Sequence, residues 1–131
     1  GGNDHYTQQT GGGWDCPNNY PVVDLFNCTH PAYGKNGTYD GYQYTQVAVD
    51  IINNAGKDKN KTPFFMYFAL HNTHSPVEAP ERFTKMYNFS QKLRNTYDAM
   101  VSTVDESVLN VTTALKNNNL WDNTLFFWAT D

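Results

Sequence analysis

The chain of 131 residues reads as part of an α/β fold, a slice of an α/β sandwich with parallel strands. Three observations predict it. Two short aromatic runs, Pro63–Leu70 and Leu125–Ala129, carry no polar alternation, as expected of strands buried on both faces. A long stretch of helical period lies between them, and a second such stretch precedes the first run. Strand, helix, strand at this spacing makes a right-handed crossover unit with parallel strands.

In chain order, residues 1–41 form a loop-rich excursion, punctuated by Gly11-Gly12-Gly13, Cys16-Pro17-Asn18-Asn19, Gly34-Lys35-Asn36-Gly37 and Asp40-Gly41. Residues 42–131 form an α-β-α-β core segment, so that 1–131 reads as an internal slice of one α/β domain. Tyr44, Val47, Ala48, Ile51 and Ile52 fall on one helical stripe, with Gly56 as its stop. Lys57–Lys61 is a charged turn. Phe64–Leu70 is the first strand, opened by Pro63 and too short for a buried helix. Tyr97, Met100, Val101, Val104, Val108, Val111 and Leu115 mark the second helix, ended by Asn117-Asn118-Asn119, since Asn tolerates the left-handed conformation of helix ends. Leu125–Ala129 is the second strand. Two parallel strands this apolar cannot cover their own faces and edges, which predicts neighbouring strands beyond these.

Composition narrows the function classes. A 39% hydrophobic, 15% aromatic chain of formal net charge −4 is not disordered, and without basic clusters it is not a nucleic-acid binder. Neither apolar run approaches the ~20 residues of a membrane span. The opening Gly1-Gly2 has no leader character, which predicts either a removed leader or a piece of something larger. The acceptor pattern Asn-x-Ser/Thr recurs at Asn27, Asn36, Asn60, Asn88 and Asn110, with Pro63 spoiling the one at Asn60. That recurrence favours a secreted or lumenal protein, glycosylated at Asn27, Asn36, Asn88 or Asn110, in which a Cys16–Cys28 disulfide persists. Two free thiols are the alternative. A zinc site from Cys16, Cys28, His30 and His5 fits no standard ligand spacing.

Ligands of open α/β sheets bind beyond the carboxyl ends of the strands. His71-Asn72-Thr73-His74-Ser75-Pro76 follows the first predicted strand and Thr130-Asp131 the second. With parallel strands, His74 and Asp131 share one edge, where a histidine beside a carboxylate binds a metal, carries protons or holds an anion. His71 and His74 could pinch a metal, but no carboxylate triad accompanies them. Asp105-Glu106 reads as a solvated helix face, and the aromatic residues of Tyr39–Tyr44 as packing.

The run Pro63–Pro76 resembles the middle of the sulfatase family, and specifically its arylsulfatase B (N-acetylgalactosamine-4-sulfatase) type. Tyr97–Val108, Asn110–Leu115 and Leu120–Asp131 are similar to that family in order and spacing, and Gly2-Asn3-Asp4-His5-Tyr6 with the Cys16/Cys28 pair fit more loosely. The resemblance implies sulfate-ester hydrolysis in an alkaline-phosphatase-like fold, secreted or lysosomal. It implies a calcium ion and a formylglycine made from a cysteine in Cys-x-Pro-x-Arg. By motif match it gives His74 the contact to the substrate sulfate and Asp131 a place among the calcium ligands. Neither Cys16 nor Cys28 opens that formylglycine motif, so the nucleophile belongs to a cysteine not present here. The expected partners are a sulfated small molecule or glycan and the remainder of the sulfatase polypeptide, with the segment inactive alone. Two rivals remain: a non-catalytic extracellular structural or binding protein on a sulfatase-like scaffold, and a phosphodiesterase sharing the fold but using a Thr or Ser nucleophile.

Overall fold

A computed structural model describes residues 5–6, 9–10, 22–23, 25–60 and 62–129. Two helices frame it: α1 (Asp40–Lys57) packs against α3 (Lys92–Asn117), and the single-turn α2 (Glu81–Thr84) braces α3. Their seam holds the core of Ala48, Ile52, Val111, Ala114 and Leu115, flanked by Val49, Met66, Phe68, Leu120 and Trp121. Two minimal hairpins precede the helices. β1 (Gln9–Thr10) pairs antiparallel with β2 (Val22–Val23), and β3 (Phe26–Asn27) with β4 (His30–Pro31). The latter pair turns through Cys28 and Thr29, with Cys28 at φ 55. The exposed Cys28 has no sulfur partner among the described residues; Cys16 lies outside them.

Both helices lie where their periodicity places them, but each stripe is turned. On α1 the buried residues are Asp40, Gly41, Thr45, Ala48 and Ile52, while Val47 is 58% and Ile51 45% exposed. On α3 they are Ala99, Met100, Thr103, Ser107, Val111, Ala114 and Leu115, while Tyr97 and Val101 remain exposed. The reason is the chemistry of the seam. Small residues face one another near its start, and Thr45 Oγ1 donates to Ser107 Oγ at 2.8 Å, which in turn donates to the Thr103 carbonyl at 2.9 Å. A polarity pattern misses such a stripe, because hydroxyls satisfied within it are buried like methyl groups.

Two helix ends were placed differently by sequence. Helix α1 begins at Asp40, inside the stretch read as loop, and Gly56 lies within it instead of stopping it. A Cβ at Gly56 would overlap the Asn118 side chain, so this glycine permits the approach of the α3 terminus. The end of α3 is as expected. Asn119 takes φ 55, its N–H bonds the Lys116 carbonyl at 3.0 Å, and Leu120 N–H bonds the Leu115 carbonyl at 2.9 Å. This is a Schellman closure, and Leu120 packs back on the core that holds Leu115.

The two predicted strands require correction. Phe64–Leu70 and Leu125–Ala129 join no ladder, and the sheets among the described residues are the two antiparallel hairpins. Met66, Phe68 and Leu70 are half-buried while Phe65 (92%), Tyr67 (85%) and Ala69 are exposed, the period of two that extended chain gives. Leu125 (95%), Phe126 (37%) and Phe127 (83%) alternate likewise. The first run lays Met66 and Phe68 on the helix core, the second meets Trp121 through Phe126, and the other face of each is bare. A strand needs a neighbouring backbone, and neither run faces one among the described residues. No helix there is long and apolar enough to cross a membrane.

Candidate functional site

The loop after the first apolar run is held at every step. His71 Nδ1 donates to Asp40 Oδ2 at 3.0 Å on the first turn of α1. The Asn72 amide donates to the Tyr39 hydroxyl at 2.9 Å and reaches the Met100 carbonyl and Thr103 hydroxyl of α3. Thr73 Oγ1 donates to the Tyr97 hydroxyl, and His74 N–H to the His71 carbonyl at 3.0 Å. His74 is therefore an exposed side chain on a fixed backbone. Its Nδ1 donates to the Ser75 carbonyl at 2.6 Å, leaving Nε2 as the nitrogen able to meet a ligand.

Behind this loop sits His5, 3% exposed and bonded on all sides. Its N–H donates to Glu78 Oε2 at 3.0 Å, and its carbonyl accepts the Asp40 N–H at 2.8 Å. Its ring Nδ1 lies 3.0 and 3.1 Å from the two Asp40 carboxylate oxygens, and Nε2 lies 3.2 Å from the His74 carbonyl oxygen. The ring stacks on Tyr39, and Tyr6 O accepts the Gly37 N–H beside it. Burial pulls the imidazole toward neutrality. The Asp40 and His74 hydrogen bonds, with the Asp40 and Glu78 charges, outweigh it and hold the pKa above the ordinary 6.5. Asp40 itself is 9% exposed at the N-terminus of α1, where the helix dipole favours a carboxylate.

His5, Asp40 and His71 are residue types that hold metals, and their ligand atoms lie within 4.8 Å of one another. Each ring Nδ1 already donates to the carboxylate, however, so the trio is closed as a hydrogen-bond network and no metal is assigned to it. Of the cysteine-histidine zinc set, the His5 ring is committed to Asp40 and His74, Cys28 and His30 are exposed on the β3–β4 hairpin, and Cys16 lies outside the described residues.

Of the residues singled out from sequence, His74 stands at the end of the apolar run, as expected. Asp131 lies outside the described residues, as does Cys16. Asn27, Asn36, Asn88 and Asn110 are all exposed, Asn110 beside a groove that α3 shares with Gln46, Val49 and Asn53 of α1. Glu106 is less solvated than its spacing implied, because it pairs with Arg82 of α2, which also donates to the Tyr42 hydroxyl. Sequence reasoning missed Asp40. Placing the helix start too late hid a carboxylate in the first turn, the signal that could have found it.

The sulfatase family model matches residues 2–131. The chain belongs to the sulfatase family. Arylsulfatase J of Mus musculus is 36% identical over 110 residues, 82% of this chain and 18% of its own length. The N-acetylgalactosamine-6-sulfatase of Mus musculus is 34% identical over 113 residues, 86% of this chain and 20% of its own. The crystal structure of Ps i-CgsB in complex with k-i-k-neocarrahexaose superposes with a TM-score of 0.65 at 33% identity, over 72% of this chain and 20% of that one. This sulfatase chain thus spans about a fifth of the length of the curated relatives it matches. The likeness gives it the fold of part of a sulfatase, with few strands among the described residues.

Proposed function

We propose that the chain forms part of the catalytic domain of a sulfuric ester hydrolase, an arylsulfatase of the N-acetylgalactosamine-4-sulfatase type acting on a sulfated small molecule or glycan. The observation that carries this reading is the family match over residues 2–131 together with His74, displayed on a backbone fixed from three sides. The saccharide side draws support from relatives: one is an N-acetylgalactosamine-6-sulfatase, and Ps i-CgsB was crystallised with a neocarrahexaose.

His74 binds and orients the sulfate. With Nδ1–H spent on the Ser75 carbonyl, Nε2 donates only when the ring is an imidazolium, so its contact to a sulfate oxygen is charge-assisted. Asp131 is a hard oxygen donor that suits calcium, which takes roughly 6–8 oxygens, so other residues complete that set. When bound, calcium offsets the sulfate charge and a formylglycine, made from a cysteine other than Cys16 or Cys28, supplies the nucleophile. The compartment is secreted or lysosomal, with a Cys16–Cys28 disulfide and glycan on one or more of the four exposed sequons.

The test is release of inorganic sulfate from a chromogenic aryl sulfate and from a sulfated galactosamine saccharide, by the intact polypeptide that carries this chain. Turnover dependent on calcium, with Asp131→Ala lowering calcium affinity and activity together, is expected. A folded, calcium-replete polypeptide without turnover would establish the non-catalytic scaffold instead.

A further inference from the structure

We propose that His5 is a positioning residue for His74: its ring, bridged between the Asp40 carboxylate and the His74 carbonyl, fixes the loop that presents His74, and does so fully only as an imidazolium. The inference rests on reading His74 as the sulfate contact.

The geometry carries it. Asp40 oxygens at 3.0 and 3.1 Å from Nδ1 are acceptors, and so is the His74 carbonyl oxygen at 3.2 Å from Nε2. A neutral imidazole has one N–H, so it can serve only one of these; both bonds require both protons. The ring is buried, so water replaces neither lost bond cheaply. His5 is also tied through its main chain to Glu78 and to Asp40, which makes it a rigid post with respect to α1. Release of Nε2 therefore removes the direct tie on the His74 carbonyl, its N–H still bonded to His71, while leaving the post in place. The charged and titratable groups facing His5 are Asp40 on α1, His71 and His74 on the loop, Glu78 beyond it, and the rings of Tyr6 and Tyr39. The carboxylates among them favour the charged ring. His71 shares Asp40, so it adds a second tie between loop and helix and not a competing acceptor for Nε2.

The experiment measures kcat and KM for a chromogenic aryl sulfate against pH, and the inhibition constant of inorganic sulfate, in the intact polypeptide. The variants are His5→Gln, His5→Asn and His74→Ala. Gln places an amide N–H where Nε2 stands and does not titrate, whereas Asn is too short to reach His74. His5→Asn should lose roughly 10-fold to 100-fold in kcat/KM and bind inorganic sulfate more weakly, the scale of a misplaced contact. His5→Gln should recover most of that loss near neutral pH and show a shallower alkaline limb than the unmodified protein, one titrating group having been removed. An alkaline limb unchanged in His5→Gln, or full activity in His5→Asn, overturns the positioning role. If His74→Ala is fully active, the sulfate-contact reading fails instead, and the two failures are thereby told apart. Should His5→Asn not fold, as judged by its thermal melt, the comparison of His5→Gln with the unmodified protein decides alone.

Discussion

Tyr39 is 1% exposed, yet its hydroxyl is not isolated: it donates to the Glu78 carbonyl at 3.0 Å and accepts from Asn72 at 2.9 Å. Burial pushes its pKa up to about 12, against the pull of hydrogen bonds to Thr103 and Asn72. A phenol whose pKa is raised in the native state holds its proton longer than the unfolded chain does. Its contribution is complete below the ordinary value of 10.0 and is lost as pH rises toward about 12. In thermal melts of the intact polypeptide between those pH values, the unmodified protein should lose stability faster than Tyr39→Phe, so the gap at neutral pH narrows. Parallel pH dependence of the two proteins would count against that environment. At this scale the sequence was readable in part. The aromatic cluster of Tyr39–Tyr44 was expected to pack, and Tyr39 does. The place of His74 on the loop after an apolar run was legible from chain order, while its sulfate contact stands as a proposal. His5 and Asp40 were not, since their pairing spans 35 positions and depends on where α1 begins.

At the scale of elements, the helices were legible because their period survives in the side chains that are apolar. Their rotation was not, because Thr45, Thr103 and Ser107 are buried with their hydroxyls satisfied: Thr45 donates to Ser107, Ser107 to the Thr103 carbonyl, and Thr103 to the Met100 carbonyl. Gly56 shows how a local rule yields to packing. A glycine after an apolar stripe reads as a helix stop, but here it makes room for Asn118, whose amide also donates to Asn53 Oδ1 and the Ala114 carbonyl at 2.8 Å. By helix propensity alone, Gly56→Ala would gain about 1 kcal/mol. The overlap with Asn118 should reverse this to a net loss of roughly 1–3 kcal/mol, readable in denaturant unfolding of the intact polypeptide. Gly56→Ala combined with Asn118→Gly should regain part of it. A stabilised single variant would mean that Asn118 swings clear and that the helices do not depend on this contact. Asn119 gives the opposite lesson, because the left-handed turn demanded at a helix end is local chemistry and is legible from three consecutive asparagines.

For the whole molecule, the decisive feature is what the two apolar runs leave uncovered. Phe65, Tyr67, Leu125 and Phe127 are each more than four-fifths exposed, on segments whose backbones find no ladder among the described residues. Sequence reasoning anticipated that two such strands need neighbours, but pairing between distant segments is a property of the assembled sheet and cannot be read from either run. The chain expressed by itself should therefore bind a hydrophobic dye such as ANS, lack a sharp near-ultraviolet signature, and hydrolyse no aryl sulfate. A cooperative melt without dye binding would contradict that. The central claim, that His74 and Asp131 meet at one sheet edge around a sulfate, is tested most directly by a crystal structure of the intact polypeptide with calcium and inorganic sulfate. The account predicts a sulfate oxygen about 2.7–3.2 Å from His74 Nε2, with the Asp131 carboxylate on calcium at about 2.3–2.6 Å in the same pocket. His74 and Asp131 on opposite faces of the sheet, or a sulfate bound out of reach of His74, would contradict it.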